Sequence, residues 1–261
     1  MGNAIEIEEA TVIRGGATIL SRISLTLKEG EHACILGPNG SGKSTIVKMI
    51  SGDLSPLYRE PAAIRLFGQE RWELFSLRAR LGIVSSDLQT AQAGDESALE
   101  TILSGFFGGI GIPLRAEATP AMIAKAGEAA RLLDVAALLG RRACELSSGE
   151  MRRVLVARAL VHDPEMLLLD EPYGSLDIGA RARFAACLRD LAARGHSIIL
   201  VTHELAEITP EIDRVVLVKD GRIVADGPKR KLLRSETISA LFGIPIRVAL
   251  ERGQYHAHPL T

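Results

Sequence analysis

The sequence predicts a mixed α/β fold: a parallel sheet, an antiparallel β group at the N-terminus, and an inserted α-helical lobe. Three observations lead there. "MLLLD" and "SIILVTH" are short, unbroken apolar runs with the helical stretch "GARARFAACLRDLAARG" between them. Such strands are buried on both faces, and strand, helix, strand implies a parallel pair with a right-handed crossover. In "ATILSRISLTLK", Ile23, Leu25 and Leu27 alternate with polar residues, the period of a half-buried antiparallel strand. In "TPAMIAKAGEAARLLDVAALLG", apolar residues recur at helical spacing.

In chain order, "IEIEEATVI" and "ATILSRISLTLK" read as antiparallel strands. After the turn in "KEGE" comes a short buried strand, "HACIL", ending at Leu36. A helix begins with "IVKMI". From about 96 to 161 the texture is helical. Thr119 is placed to cap a helix, Pro120 suits its first turn and Gly140 is its expected stop. "GEMRRVLVARALVHDP" is a second helix, ended before Pro164. "VVLVKDGRIVADG" is a hairpin turning on Asp-Gly, followed by a small helical tail. The expected organisation is one domain over 1–261, with a core of about 1–86 and 162–261 and a helical subdomain of about 87–161.

Composition narrows the function classes. With 47% hydrophobic and 24% charged residues, the chain has the make-up of a globular protein with a substantial core. A net charge of -1 gives no general attraction to nucleic acid, and none is expected as a direct partner. No apolar run reaches the roughly 18 to 20 residues of a spanning helix. "MGNAIEIEEA" lacks the basic and apolar regions of a secretory signal. Cys34, Cys144 and Cys187 are scattered, as suits reduced thiols in a cytosolic chain.

"GPNGSGKST" spans Gly37, Pro38, Asn39, Gly40, Ser41, Gly42, Lys43, Ser44 and Thr45. The pattern Gly-x-x-x-x-Gly-Lys-Ser between a buried strand and a helix is that of a phosphate-binding loop, and the fold class sharpens to a P-loop nucleoside triphosphatase core. Its glycines let backbone N–H groups turn inward around phosphate oxygens, aided by the helix dipole. Lys43 is then the cation for the β- and γ-phosphates, and the Ser44 hydroxyl a ligand for Mg²⁺.

"MLLLDEP" ends an apolar strand in two adjacent carboxylates, a costly arrangement unless a metal or a reaction uses them. Taken alone, Asp170 and Glu171 serve equally well as caps of the next helix. Beside a P-loop, Asp170 reads as holding Mg²⁺ through water and Glu171 as the general base for the attacking water. His203, in "VTHE", follows a buried strand end, where nucleotide sites gather, and is placed to hydrogen-bond a γ-phosphate. His32, His162 and His196 have no such company, and "HAHP", with His256 and His258, reads as a solvated tail in preference to a metal-binding pair.

"ELSSGEMRRVLVARAL" narrows the family. It resembles the Leu-Ser-Gly-Gly-Gln signature of ATP-binding cassette proteins: Leu146, Ser147 and Gly149 match, while Ser148 and Glu150 depart. By itself the segment also fits an ordinary serine-capped helix completed by Glu150. With the P-loop, the carboxylate strand, "GSLD" at 174–177 and His203 in the family's order, the resemblance spans nearly the whole chain. It implies an ATPase using ATP and Mg²⁺, with two ATP molecules sandwiched in a head-to-tail homodimer or a heterodimer with another cassette subunit. Each P-loop would face Ser147, Ser148, Gly149 and Glu150 of the other copy, and Asp177 would bridge the two sites.

Two positions depart from the family pattern. Its adenine-stacking aromatic falls on Arg14, whose guanidinium either stacks on the base or is a solvated turn residue. Its glutamine near Mg²⁺ falls on Ser86, with Gln89 three positions on as the alternative. "SSDLQ" and "SGFFGGIGIP" resemble the branch of molybdate-type and metal-uptake ATPases. Within "GFFGGIGIP", Phe106, Phe107 and Ile110 either form a groove for a membrane partner or pack inside the lobe.

The resemblance implies the ATPase subunit of a transporter, peripheral on the cytoplasmic face of the membrane, with an integral permease as a separate partner. The other reading it allows is a soluble cassette ATPase acting on nucleic acid, ribosomes or repair complexes. A single cassette, a near-neutral charge and no long insertion favour the transporter.

Overall fold

The computed structural model describes residues 2–61, 63–85, 94–107 and 118–260. The chain forms two units: Met1–Trp72 with Ser197–Thr261, and Glu73–His196.

In the first unit, β1 (Asn3–Arg14) and β2 (Ala17–Lys28) pair antiparallel through the turn at Gly15 and Gly16, whose φ values are 56° and 79°. The period of two in β2 is real: Ile23, Leu25 and Leu27 are buried and their neighbours turn outward. β4 (Ile64–Leu66), which its three-residue length hides in the sequence, pairs with the other edge of β1.

β3 (Ala33–Leu36) is wholly buried and lies between two parallel neighbours, β7 (Ser197–Thr202) and β8 (Arg214–Lys219). The registers Leu36 to Thr202 and Leu36 to Leu217 put the C-terminal ends of β3 and β7 level, with β8 running two residues further. β9 (Arg222–Pro228) returns antiparallel to β8 through Asp220 and Gly221, whose φ values of 48° and 70° give the expected tight turn.

Helices α7 (Lys229–Leu232) and α8 (Ser235–Phe242) form the helical tail, which Gly243 closes in the left-handed conformation. Then comes a hairpin not read from the sequence, β10 (Ile246–Glu251) with β11 (Gln254–Pro259). "HAHP" is largely solvated as expected, with His258 exposed and His256 half-buried, but it is paired in β11 rather than a tail without partners. The reason is Tyr255, whose buried ring anchors the opposite face of the strand. β11 packs against a 3-10 turn at Leu205–Glu207.

In the second unit, α2 (Leu74–Arg80) leads into β5 (Leu81–Val84), which pairs parallel with β6 (Met166–Asp170). The helices are α3 (Ala98–Phe107), α4 (Pro120–Leu132), α5 (Ser148–Leu160) and α6 (Ile178–Ala193). Thr119 caps α4 as expected, accepting the Met122 N–H, and α5 stops before Pro164. However, α4 ends at Leu132 rather than running to Gly140. Asp134 takes a left-handed φ of 52°, and the Val135 N–H turns back to the Ala130 carbonyl. Arg153 then donates to the Leu133 and Asp134 carbonyls at 3.2 and 2.9 Å, satisfying acceptors beyond that end. Helices α3 and α5 pack closely at Gly105, where a Cβ would lie 2.3 Å from the Arg158 carbonyl oxygen. Phe106 is buried edge-on to His162, with ring centres 5.1 Å apart, and Phe107 is half-buried. Ile110 lies outside the described residues.

Candidate nucleotide site

β3 delivers the chain to Gly37, whose N–H donates to the Thr202 carbonyl at 3.3 Å. A Cβ on Gly37 would stand 2.1 Å from the Val218 carbonyl oxygen, so only glycine lets the loop cross the strand ends here. Gly40 and Gly42 follow with φ of 77° and 104°, and α1 (Lys43–Ile50) begins with no side chain capping it. A helix start without a cap leaves N–H groups available to an anion. Ser41 Oγ is buried and has no hydrogen-bond partner among the described residues.

Lys43 is 4% exposed, and its ammonium donates to the Gly37 and Pro38 carbonyls at 2.9 and 3.1 Å. The cation is thus held across the loop that a phosphate would enter. Ser44 is exposed on the first turn of α1, Thr45 is half-buried, and Asn39 and Gly40 lie open at the loop's tip. Two distant segments hold the loop's shape. Gly221 N–H donates to the Ser41 carbonyl at 3.0 Å, and a Cβ on Gly42 would strike Leu20 at 2.6 Å.

The pairing of β3 with β7 brings His203 beside this loop. The imidazole is half-buried, with Nε2 3.9 Å from a carboxylate oxygen of Glu204. Arg14 is exposed where β1 enters its glycine turn.

In the second unit, β6 carries Asp170 to its end, where the residue is 3% exposed. Glu171 follows with a left-handed φ of 47°, and Ser175 has 62°. Non-glycine residues in that region cost energy and cluster where a side chain must be aimed. Tyr173, edge-on to Phe184 at 5.2 Å, anchors the intervening turn. Asp177 caps α6, accepting the Ala180 N–H at 2.7 Å.

Ser147 caps α5 in a complete capping box. Glu150 accepts from both the Ser147 N–H and its hydroxyl at 2.8 Å, and Ser147 Oγ in turn accepts the Glu150 N–H at 3.3 Å. The hydrogen bond from the Ser147 N–H holds the Glu150 carboxyl below its ordinary range; burial opposes this, and the Ser147 hydroxyl, Arg141 and Arg153 reinforce it. Ser148 Oγ donates to the Ser175 carbonyl at 3.0 Å, and a Cβ on Gly149 would lie 3.0 Å from that of Ala180. The start of α5 and the segment 174–177 are therefore one packed surface.

Ser86 and Gln89 lie outside the described residues. Among the described residues no group of three or more His, Cys, Asp or Glu could hold a metal. Mg²⁺ in nucleotide sites needs no such cluster, taking one or two protein oxygens with water and phosphate oxygens, and the Ser44 hydroxyl and Asp170 carboxylate are donors of that kind. Thr202, Glu207 and Gly221 bear on the site although sequence reasoning gave them no part. No helix among the described residues is long and apolar enough to cross a membrane.

A family model described as ABC transporter matches residues 20–174. An uncharacterized ABC transporter ATP-binding protein, YlmA of Bacillus subtilis, is 34% identical over 98% of this chain and 98% of its own length. The hemin import ATP-binding protein HmuV of Rhizobium leguminosarum is 34% identical, covering 94% of this chain and 92% of its own. A solved inward-facing structure of a putative metal-chelate type ABC transporter shares the fold, with a TM-score of 0.78 at 23% identity, over 99% of this chain and 98% of that one.

Proposed function

Since the chain belongs to the ABC transporter family as an ATP-binding and ATP-hydrolysing subunit, we propose that it powers import of an iron-containing or related metal-chelate cargo through a separate integral permease. It would act from the cytoplasmic face of the membrane, as one half of a head-to-tail pair. The observation that carries the import reading is the hemin-import relative, which aligns over 94% of this chain at 34% identity.

The roles follow from the chemistry of each position. N–H groups of the loop Gly37–Thr45 cradle the phosphates, and Lys43 exchanges its two carbonyl partners for phosphate oxygens. Ser44, and Asp170 through water, would hold Mg²⁺, with Ser86 or Gln89 as a further contact. Bound there, Mg²⁺ supplies positive charge beside the β- and γ-phosphate oxygens. Glu171 takes the proton of the attacking water, and His203 donates to the γ-phosphate. Arg14 lies against the base. Ser147, Ser148, Gly149 and Glu150 of the second copy complete the phosphate shell, with Asp177 linking the two sites. A helical subdomain of about 87–161 relays closure to the permease.

Purification of the protein from native membranes tests this reading. An integral permease is expected to accompany it, and loss of the gene is expected to abolish uptake of haem or an iron chelate. Retention of nucleic acid or ribosomes with no integral protein would overturn it.

A further inference from the structure

β7 ends at Thr202 with its side chain fully buried, and Glu207 in the following 3-10 turn is 6% exposed. An apolar pair would fill the same space without the cost of desolvating a carboxylate. The polar pair instead makes a short relay around one residue. The Thr202 hydroxyl donates its proton to Glu207 Oε2, and its oxygen accepts the Glu204 N–H at 3.0 Å.

A hydroxyl has a single proton, and here it is directed to Glu207 while the hydroxyl oxygen accepts from Glu204. Glu207 therefore fixes which way the hydroxyl points and leaves its lone pair turned to Glu204. On the other side of His203, the Thr202 carbonyl is tied to the phosphate-binding loop through the Gly37 N–H at 3.3 Å. The backbone is thus pinned immediately before and immediately after His203. β11 packs against the turn that carries Glu207, with Tyr255 buried, so the anchor of the relay is itself braced.

We propose that Glu207, acting through Thr202, is a positioning residue that sets the backbone of His203 for hydrolysis. This rests on His203 donating to the γ-phosphate. The consequence is a defect in turnover that leaves ATP binding intact.

Turnover of Thr202→Val, Thr202→Ser, Thr202→Val with Glu207→Met, and His203→Ala is compared with wild type, alongside melting temperature. Thr202→Val keeps the shape but removes the hydroxyl, and the double variant leaves no buried carboxylate unsatisfied. Both are expected to lower kcat about tenfold with KM for ATP within about twofold, while Thr202→Ser stays within about threefold of wild type. The double variant is expected to melt no lower than wild type. Wild-type kcat in both hydroxyl-free variants while His203→Ala is slow would overturn the positioning role alone. An equal loss in Thr202→Ser and Thr202→Val, or a rise in KM at unchanged kcat, would also overturn it. Wild-type turnover in His203→Ala would remove the underlying reading of His203.

Discussion

Gly221 donates its N–H to the carbonyl of Ser41 at 3.0 Å, so a hairpin turn late in the chain holds the middle of the phosphate-binding loop. Gly221 also has a φ of 70°, and a Cβ there would stand 2.2 Å from the Ile19 carbonyl oxygen. Gly221→Ala is expected to cost about 2 kcal/mol or more through strain and overlap. Nucleotide affinity should fall with it, because the loop loses its outer support. Denaturant melts and ATP titration of the same preparation check both parts.

Lys43 already satisfies its ammonium with two loop carbonyls, so removing it need not unfold the loop. Lys43→Ala is expected to weaken ATP binding on the order of 100-fold, the loss of a charge-assisted contact to phosphate. Equilibrium binding of a fluorescent ATP analogue measures it. Unchanged affinity would remove Lys43 from the site.

Glu171→Gln keeps the size of the side chain and removes its basicity. Hydrolysis is expected to fall by a factor of about 100 or more, with ATP binding preserved. Light scattering in ATP should then show a stable pair of chains. Full turnover with only single chains would exclude Glu171 as the base.

Ser147 is exposed at the start of α5, and its hydroxyl is engaged with Glu150 of the same chain. If the proposed pairing places this face against a second copy, Ser147→Arg is expected to cut turnover at least about tenfold while leaving ATP binding by the single chain intact. The size of the loss in turnover, set against binding, decides the matter.

Burial holds the His162 imidazole below its ordinary value of 6.5; the nearby charges of Lys125 and Arg78 add to this, against a hydrogen bond that the ring donates to the Gly105 carbonyl. The unfolded chain therefore takes up the proton first as pH falls. Stability from the neutral ring is complete above about pH 6.5 and is lost as pH drops through that value towards the lower folded one. His162→Phe is expected to melt with less pH dependence than wild type between about pH 7.5 and 5.5. Parallel slopes would show that His162 does not contribute.

The strands around the loop were legible because their apolar runs are short and bounded by glycine, proline or charge. β3, β6 and β7 fall where the sequence places them. The P-loop was legible for a related reason: its residue types are needed by its backbone. Three features were hidden. The early stop of α4 depends on Asp134 adopting a left-handed backbone, which its sequence neighbours do not demand. The β10–β11 hairpin turns on Arg252-Gly253, a weaker turn signal than Asn-Gly or Asp-Gly, and is fixed by burial of Ile246 and Tyr255. The relay from Glu207 to Thr202 looks like any exposed acidic turn until the fold encloses it.

One consequence concerns synthesis. Both hydrogen-bonded neighbours of β3 come from the far side of the Glu73–His196 unit. At a ribosome adding roughly 5 to 20 residues per second, the strand that leads into the phosphate loop waits on the order of 10 to 30 seconds for a mate. During that interval "ACIL" is a bare, sticky edge, and a chaperone holding nascent chains has most to protect there.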